Sequence, residues 1–120
     1  MSLFSSRQKG QTYEARAEAY LQQHGLIPVQ RNFQVRGGEI DLIMREQAKW
    51  VFIEVKYRQS ETYGSGLDAI DWRKIQRIKR TALYWLHKNK INSEMVPIRF
   101  DVVYITNHQI EWLKNIVQDR

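Results

Sequence analysis

The chain has 120 residues, 42% hydrophobic and 27% charged, and its formal net charge of +6 favours polyanionic partners such as nucleic acid. This length allows one domain with a single modest core, which we place at residues 1–120, and the absence of cysteine excludes disulfides and thiolate chemistry. The sequence shows no apolar run long enough to span a membrane and no secretory signal, so we expect a cytoplasmic protein.

The first predicted element is a helix from about Gln8 to His24. Ala17 and Leu21 lie on its apolar stripe, and a glycine follows as a natural C-terminal stop. Glu14 precedes these two residues by three and seven positions, so it shares an edge with the stripe. Its carboxylate is therefore placed either along the core toward the sheet or on the solvated helix surface.

A first strand is predicted over residues 27–36. Alternation places Val29, Phe33 and Val35 on one of its faces. The pair Gly37-Gly38 then supplies a turn into the next strand.

The segment from Gly37 to Arg58 predicts a hairpin of two strands joined by four polar residues. A symmetric hairpin places Asp41 opposite Glu54 and Glu39 opposite Lys56. Strict alternation of side chains then brings all four to one face of the sheet. Facing carboxylates repel each other, and the arrangement favours a cation between them.

The chemistry that this hairpin indicates is metal-assisted. Asp41 and Glu54 offer the hard oxygen ligands that Mg²⁺ or Mn²⁺ takes in proteins, and such an ion activates water and stabilises a leaving oxygen. Lys56 is then placed to orient the attacking water or to neutralise charge in the transition state. The other interpretation is a solvated sheet face on which Lys56 merely pairs with Glu39 or Glu54.

A polar, glycine-bearing loop is expected from Gln59 to Gly66, followed by a second helix from Asp71, its N-cap, to about Lys88. Its buried stripe comprises Ile75, Ile78, Ala82, Trp85 and Leu86. The rest of its surface is basic and free of acids in its first turns, which is typical of a phosphate-contacting face or of a solvated one. The residues expected to contact nucleic acid are Arg58, Arg73, Lys74, Arg77 and Arg80.

Pro97 to Thr106 predicts a buried central strand, and residues 109–112 predict a short final strand. Asp101 lies on the central strand as a further site candidate, although pairing with Arg99 explains it as well. The predicted order of elements is α-β-β-β-α-β-β. This order is an α/β sandwich with a mixed sheet, because the second helix must act as a crossover.

Asp41 followed by Glu54-Val55-Lys56 resembles the PD-(D/E)xK nuclease signature, with Ile40 where that signature has proline. Three phrases, at residues 38–43, 52–58 and 99–103, resemble the UPF0102 (YraN-like) family of small bacterial proteins, and the resemblance runs from about Gly10 to Trp112. It implies a restriction-endonuclease-like fold shared with Holliday-junction resolvases.

The resemblance further implies a Mg²⁺- or Mn²⁺-dependent nuclease acting on DNA, with branched recombination or repair intermediates among its substrates. Within it, Glu14 matches a first-helix acid that approaches the metal, and Lys74 matches the lysine that follows the loop. Related resolvases act as dimers, so a homodimer is expected by analogy. The alternatives are a nucleic-acid-binding module without turnover and a protein-interaction domain.

Overall fold

The computed structural model describes residues 6–58, 71–107 and 109–116. The predicted loop at Gln59–Gly66 and residue His108 lie outside these ranges. The elements follow the predicted order: α1 (Ser6–Gln23), β1 (Ile27–Val35), β2 (Gly38–Glu46), β3 (Lys49–Tyr57), α2 (Trp72–Lys88), β4 (Ile98–Ile105) and β5 (Ile110–Leu113).

The five strands form one mixed sheet in the order β1-β2-β3-β4-β5. Only β3 and β4 run parallel, while the other three neighbouring pairs are antiparallel. A parallel pair needs a crossover connection, and α2 supplies it between β3 and β4. The fold is therefore the mixed α/β sandwich that the sequence predicted, with its elements in the order α-β-β-β-α-β-β.

The two helices cover opposite faces of the sheet, each over its own apolar cluster. Ala17 and Leu21 of α1 pack with residues such as Leu42 and Ile53 in one cluster. In the other, the buried stripe of α2 packs against Ile43 and further apolar residues of β1 to β3. Neither helix, over the residues described, has the length and apolar character needed to cross a membrane.

Local signals set the limits of α2 as predicted. Asp71 is the N-cap, and its side chain accepts a hydrogen bond of 2.9 Å from the backbone N–H of Arg73. The stripe is also as expected, with Trp85 and Leu86 buried. On β1, in contrast, Val29 is 41% exposed rather than sharing a buried face with Phe33, because the pairing of β1 with β2 shifts between Pro28 and Gln30.

The alternation of side chains reverses at one point in both β1 and β2. On β2, Ile40 packs in the α2-side cluster, whereas Leu42, two residues later, packs in the α1-side cluster. Two residues apart on a regular strand share a face, so the alternation breaks at Asp41. The paired strand breaks at the same level, where Asn32 has a positive φ of 55°. This double reversal positions the candidate site.

Candidate metal centre

The hydrogen-bonded ladder between β2 and β3 has the predicted register, but it ends one residue before the acids. Its recorded pairs run from Glu46–Lys49 to Leu42–Ile53. Beyond that pair, the side chain of Asp41 accepts a hydrogen bond of 2.8 Å from the backbone N–H of Val55. The Asp41 carboxylate therefore takes a position at which the ladder would otherwise continue.

Three carboxylates converge where the ladder ends. Glu14, Glu39 and Asp41 each contribute one carboxylate oxygen, and these three oxygens all lie within 4.8 Å of one another. Glu14 is buried, Asp41 is partly buried and Glu39 is exposed. Three hard oxygen donors at this spacing are a ligand set suited to a divalent cation.

Contacts between α1 and the sheet hold Glu14 in this group. The ring of Tyr13 stacks on that of Tyr57 in β3, with centroids 4.0 Å apart and planes 7° from parallel. One helical turn further on, Glu18 receives two hydrogen bonds from the guanidinium of Arg31 in β1, at 2.6 and 3.0 Å. The helix is thus fixed on both sides of Glu14, which turns its carboxylate inward.

Burial and mutual repulsion disfavour ionisation of the clustered carboxylates. Burial raises the pKa of Asp41 to about 7, and the negative charges of Glu14, Glu39 and Glu54 act in the same direction against the hydrogen bond from Val55. Burial also raises the pKa of Glu14, which hydrogen-bonds with Asn32 and with Asp41. A hydrogen bond between two carboxyl groups requires a proton on one of them, so the ionisation of Glu14 and that of Asp41 are linked.

The other predicted active-site residues lie on the α2 side of the sheet. Glu54 forms an ion pair with Lys74 of α2 and is not one of the three clustered carboxylates. Burial lowers the pKa of Lys56, with Lys74 and Arg58 acting in the same direction and Glu54 against it. The prediction that Glu39, Asp41, Glu54 and Lys56 share one face was wrong, because the alternation reverses at Asp41.

The carboxylates next to α1 and the charged residues next to α2 nevertheless meet at Asp41. Its carboxylate accepts from the N–H of Val55, the residue between Glu54 and Lys56, and the charge of Glu54 contributes to its raised pKa. Asp41 therefore lies between the carboxylates next to α1 and the charged pair next to α2.

The predicted basic residues have different surroundings. Lys74 is tied to Glu54, and the guanidinium of Arg58 lies 5.1 Å from the ring centre of Tyr104. Arg73 is exposed in the first turn of α2, while Arg77 and Arg80 line a pocket next to the β1–β2 turn.

Asp101 has a full set of structural partners. Its buried carboxylate accepts hydrogen bonds from the guanidinium of Arg99, from the indole N–H of Trp112 at 2.9 Å and from the backbone N–H of Asn115 at 2.8 Å. It thereby joins β4 to β5 and to the segment that follows, and the pairing with Arg99 is the one that the sequence predicted.

Sequence reasoning missed two features of the site. Glu39 was not predicted as a metal ligand beside Asp41 and Glu54, although it is one of the three clustered carboxylates. Asn32 was not singled out, although its hydrogen bond with Glu14 and its positive φ mark the reversal of the strands. Asparagine is one of the few non-glycine residues that tolerates this conformation, and this was the available signal.

The described part of the chain is thus a mixed α/β domain that carries three clustered carboxylates able to hold a metal ion. The chain belongs to the uncharacterised protein family UPF0102, whose profile it matches over residues 13–105.

Relatives in the same family cover nearly the whole chain. A UPF0102 protein of Photobacterium profundum is 53% identical over 92% of this chain and 90% of its own length. A UPF0102 protein of Aliivibrio fischeri is 47% identical over 94% of both chains. A crystal structure of SSO0001 is similar with 21% identity and a TM-score of 0.42, over 88% of this chain and half of that one.

Proposed function

We propose that this protein is a Mg²⁺- or Mn²⁺-dependent phosphodiesterase that acts on DNA. The observation that carries the proposal is the convergence of Glu14, Glu39 and Asp41 within 4.8 Å. The raised pKa of Asp41 supports it, because a buried carboxylate that resists ionisation is one that a cation would stabilise.

The donor set fits a hard divalent cation. Glu14, Glu39 and Asp41 would hold the ion, which when bound supplies an activated water and stabilises charge on the phosphoryl and leaving oxygens. The hydrogen bond from Val55 fixes the position of the Asp41 carboxylate between β2 and β3. Glu54 adds a carboxylate within electrostatic reach, and its recruitment as a ligand would compete with its ion pair to Lys74.

Lys56 is the residue of this chain best suited to act on the scissile phosphate. Burial lowers the pKa of Lys56 against the charge of Glu54, and Lys74 and Arg58 add to the positive charge around it, so a phosphate would be attracted there. A lysine ammonium can donate to a phosphoryl oxygen or orient the attacking water.

Cleavage of labelled duplex, single-stranded and four-way-junction DNA in Mg²⁺ or Mn²⁺ tests the proposal. We expect Lys56→Ala and Asp41→Asn to lower the cleavage rate by about 100-fold or more, a usual scale for loss of transition-state stabilisation. Lys49→Ala, which removes a lysine from the other end of β3, is the matched control and should keep the wild-type rate. Absence of cleavage of all three substrates by the wild-type protein in both metals would refute the assignment.

A second candidate function is a nucleic-acid-binding module without turnover. The ion pair between Glu54 and Lys74 favours it, because it neutralises one of the acids of the nuclease signature. In this case the wild-type protein would bind DNA with an affinity that falls linearly in log salt, and it would cleave none. For the enzyme, Lys56→Ala should abolish cleavage and leave most of the DNA affinity, which separates the two functions.

A further inference from the structure

A pocket of about 490 Å³ lies between the end of β1 and the exposed side of α2. Its walls are Val35, Arg36 and Gly37 on the sheet side and Arg77, Arg80, Thr81 and Tyr84 on the helix side. Gly37 is two residues from Glu39, so the pocket lies near the end of β2 at which the carboxylates of Glu39 and Asp41 are found. The volume falls within the range of pockets that bind small organic ligands.

Three arginines line this pocket without a counter-ion from the described residues. Arg36, Arg77 and Arg80 all line the pocket. None of them forms an ion pair with another residue that the structure describes. Cations that share a concave surface repel each other, and an anion placed between them relieves that repulsion. Arginine also matches the geometry of phosphate oxygens through paired N–H donors.

An aromatic ring forms part of the same pocket. Tyr84 is 52% exposed, which is high for a large aromatic side chain. Its ring packs against that of Phe33 in β1, with centroids 6.3 Å apart and planes 22° from parallel, so its orientation is supported from the sheet. Exposed aromatic rings next to arginines are the surface on which unpaired bases stack.

The backbone of the β1–β2 turn is built to bring Arg36 close to α2. Gly37 has a positive φ of 86°, which a side chain would strain, and this conformation turns the chain sharply after Arg36. Gly38 packs directly on Thr81, and a Cβ at this glycine would overlap the Thr81 hydroxyl. That hydroxyl is itself held by a hydrogen bond of 2.7 Å to the carbonyl of Arg77.

We propose that this pocket binds one unpaired nucleotide of a nucleic acid strand, with its phosphate on the arginines and its base against Tyr84. The choice of a nucleic acid strand rests on the proposed function, but the binding itself needs no metal. The volume and the aromatic wall favour a whole nucleotide over a bare phosphate.

Fluorescence anisotropy with a labelled oligothymidylate in EDTA tests the pocket apart from catalysis. We expect Arg80→Gln to weaken binding at least tenfold and Tyr84→Leu to weaken it at least fivefold. Arg16→Gln, which removes an exposed arginine from the other helix, is the matched control and should change the affinity less than twofold. Thermal melts of each variant establish that it is folded.

Blunt duplex DNA and thymidine 5′-monophosphate are the comparison ligands. Tyr84→Leu should leave duplex affinity within twofold, because paired bases cannot reach the ring, and the mononucleotide should bind at least tenfold more weakly than the oligomer. Equal losses of affinity for Arg80→Gln and Arg16→Gln, or an unchanged oligomer affinity for Tyr84→Leu, would contradict nucleotide binding in this pocket. A mononucleotide that binds as tightly as the oligomer, with the same dependence on Arg80 and Tyr84, would overturn the assignment to a strand.

The two proposals fail separately. Arg80→Gln and Tyr84→Leu could keep both metal-dependent cleavage at saturating substrate and full oligomer affinity. That result would contradict nucleotide binding in the pocket and leave the proposed phosphodiesterase activity standing. Metal-free binding that depends on both residues, without cleavage in Mg²⁺ or Mn²⁺, supports the pocket and overturns the phosphodiesterase.

Discussion

Replacing Asp41 with asparagine should stabilise the metal-free protein at alkaline pH. The amide keeps an oxygen that accepts the N–H of Val55, but it removes a charge from a cluster that contains two further carboxylates. Burial raises the pKa of Asp41 from 3.8 to about 7. The Asp41 carboxyl group therefore keeps its proton to a higher pH in the native state than in the unfolded chain. The free energy of unfolding of the wild type therefore falls as the pH rises through this window.

The size of the effect follows from the pKa difference. Each pKa unit corresponds to about 1.4 kcal/mol in the free energy of unfolding. The two units between pH 5 and pH 7 therefore amount to about 3 kcal/mol. The loss from Asp41 is complete about one unit above its native pKa, at about pH 8. The Asp41→Asn protein lacks this loss, so its stability relative to the wild type should rise by about 3 kcal/mol from pH 5 to pH 8.

Urea unfolding followed by tryptophan fluorescence, at pH 5 and pH 8 in EDTA, measures this difference. Asp71→Asn is the matched control, because it removes an exposed aspartate while asparagine still caps α2, and it should follow the wild type. Added Mg²⁺ at pH 8 should restore stability to the wild type and not to Asp41→Asn, since a ligand stabilises only the state that binds it. Parallel pH dependence of the wild type and Asp41→Asn would refute the reasoning.

Three further outcomes are expected. Gly38→Ala should lower the free energy of unfolding, measured in urea, by about 1–3 kcal/mol because its Cβ overpacks against Thr81. Adding Thr81→Ala should recover part of this loss in a double-mutant cycle, and additive effects of the two mutations would contradict the contact. Asp101→Asn should cost about 3–5 kcal/mol in the same assay, because it leaves the Arg99 charge buried with fewer partners, and a cost below about 1 kcal/mol would show that the network contributes little. On duplex or junction DNA the protein should sediment as a homodimer, and a monomer both free and bound would remove that expectation.

The fold could be predicted from the sequence because its signals are local and agree with one another. Period-two runs marked β2, β3 and β4, helical spacing marked both helices, and Asp71 marked the start of α2 at the observed residue. The hairpin register also followed from the symmetry of its polar turn.

The site was only partly predictable, because its geometry depends on a break in a regular pattern. Alternation places Glu39 on the same face as Glu54, whereas in the structure the alternation of β2 breaks at Asp41, at the level where Asn32 of β1 has a positive φ. Sequence periodicity contains no information about such a reversal unless the residue concerned is recognised as tolerant of it. The Arg36 side of the pocket was missed for a related reason, since it requires the close contact of Gly38 with Thr81 across the fold.

Binding of Mn²⁺, followed by electron paramagnetic resonance of the free ion at pH 8, tests the metal centre most directly. The wild type should bind one equivalent saturably, and Glu14→Gln, Glu39→Gln and Asp41→Asn should each weaken binding at least tenfold. Glu111→Gln, which removes an exposed carboxylate from β5, should bind as the wild type does. Absence of saturable binding to the wild type, or equal binding by Asp41→Asn and Glu111→Gln, would contradict a metal centre at these three carboxylates.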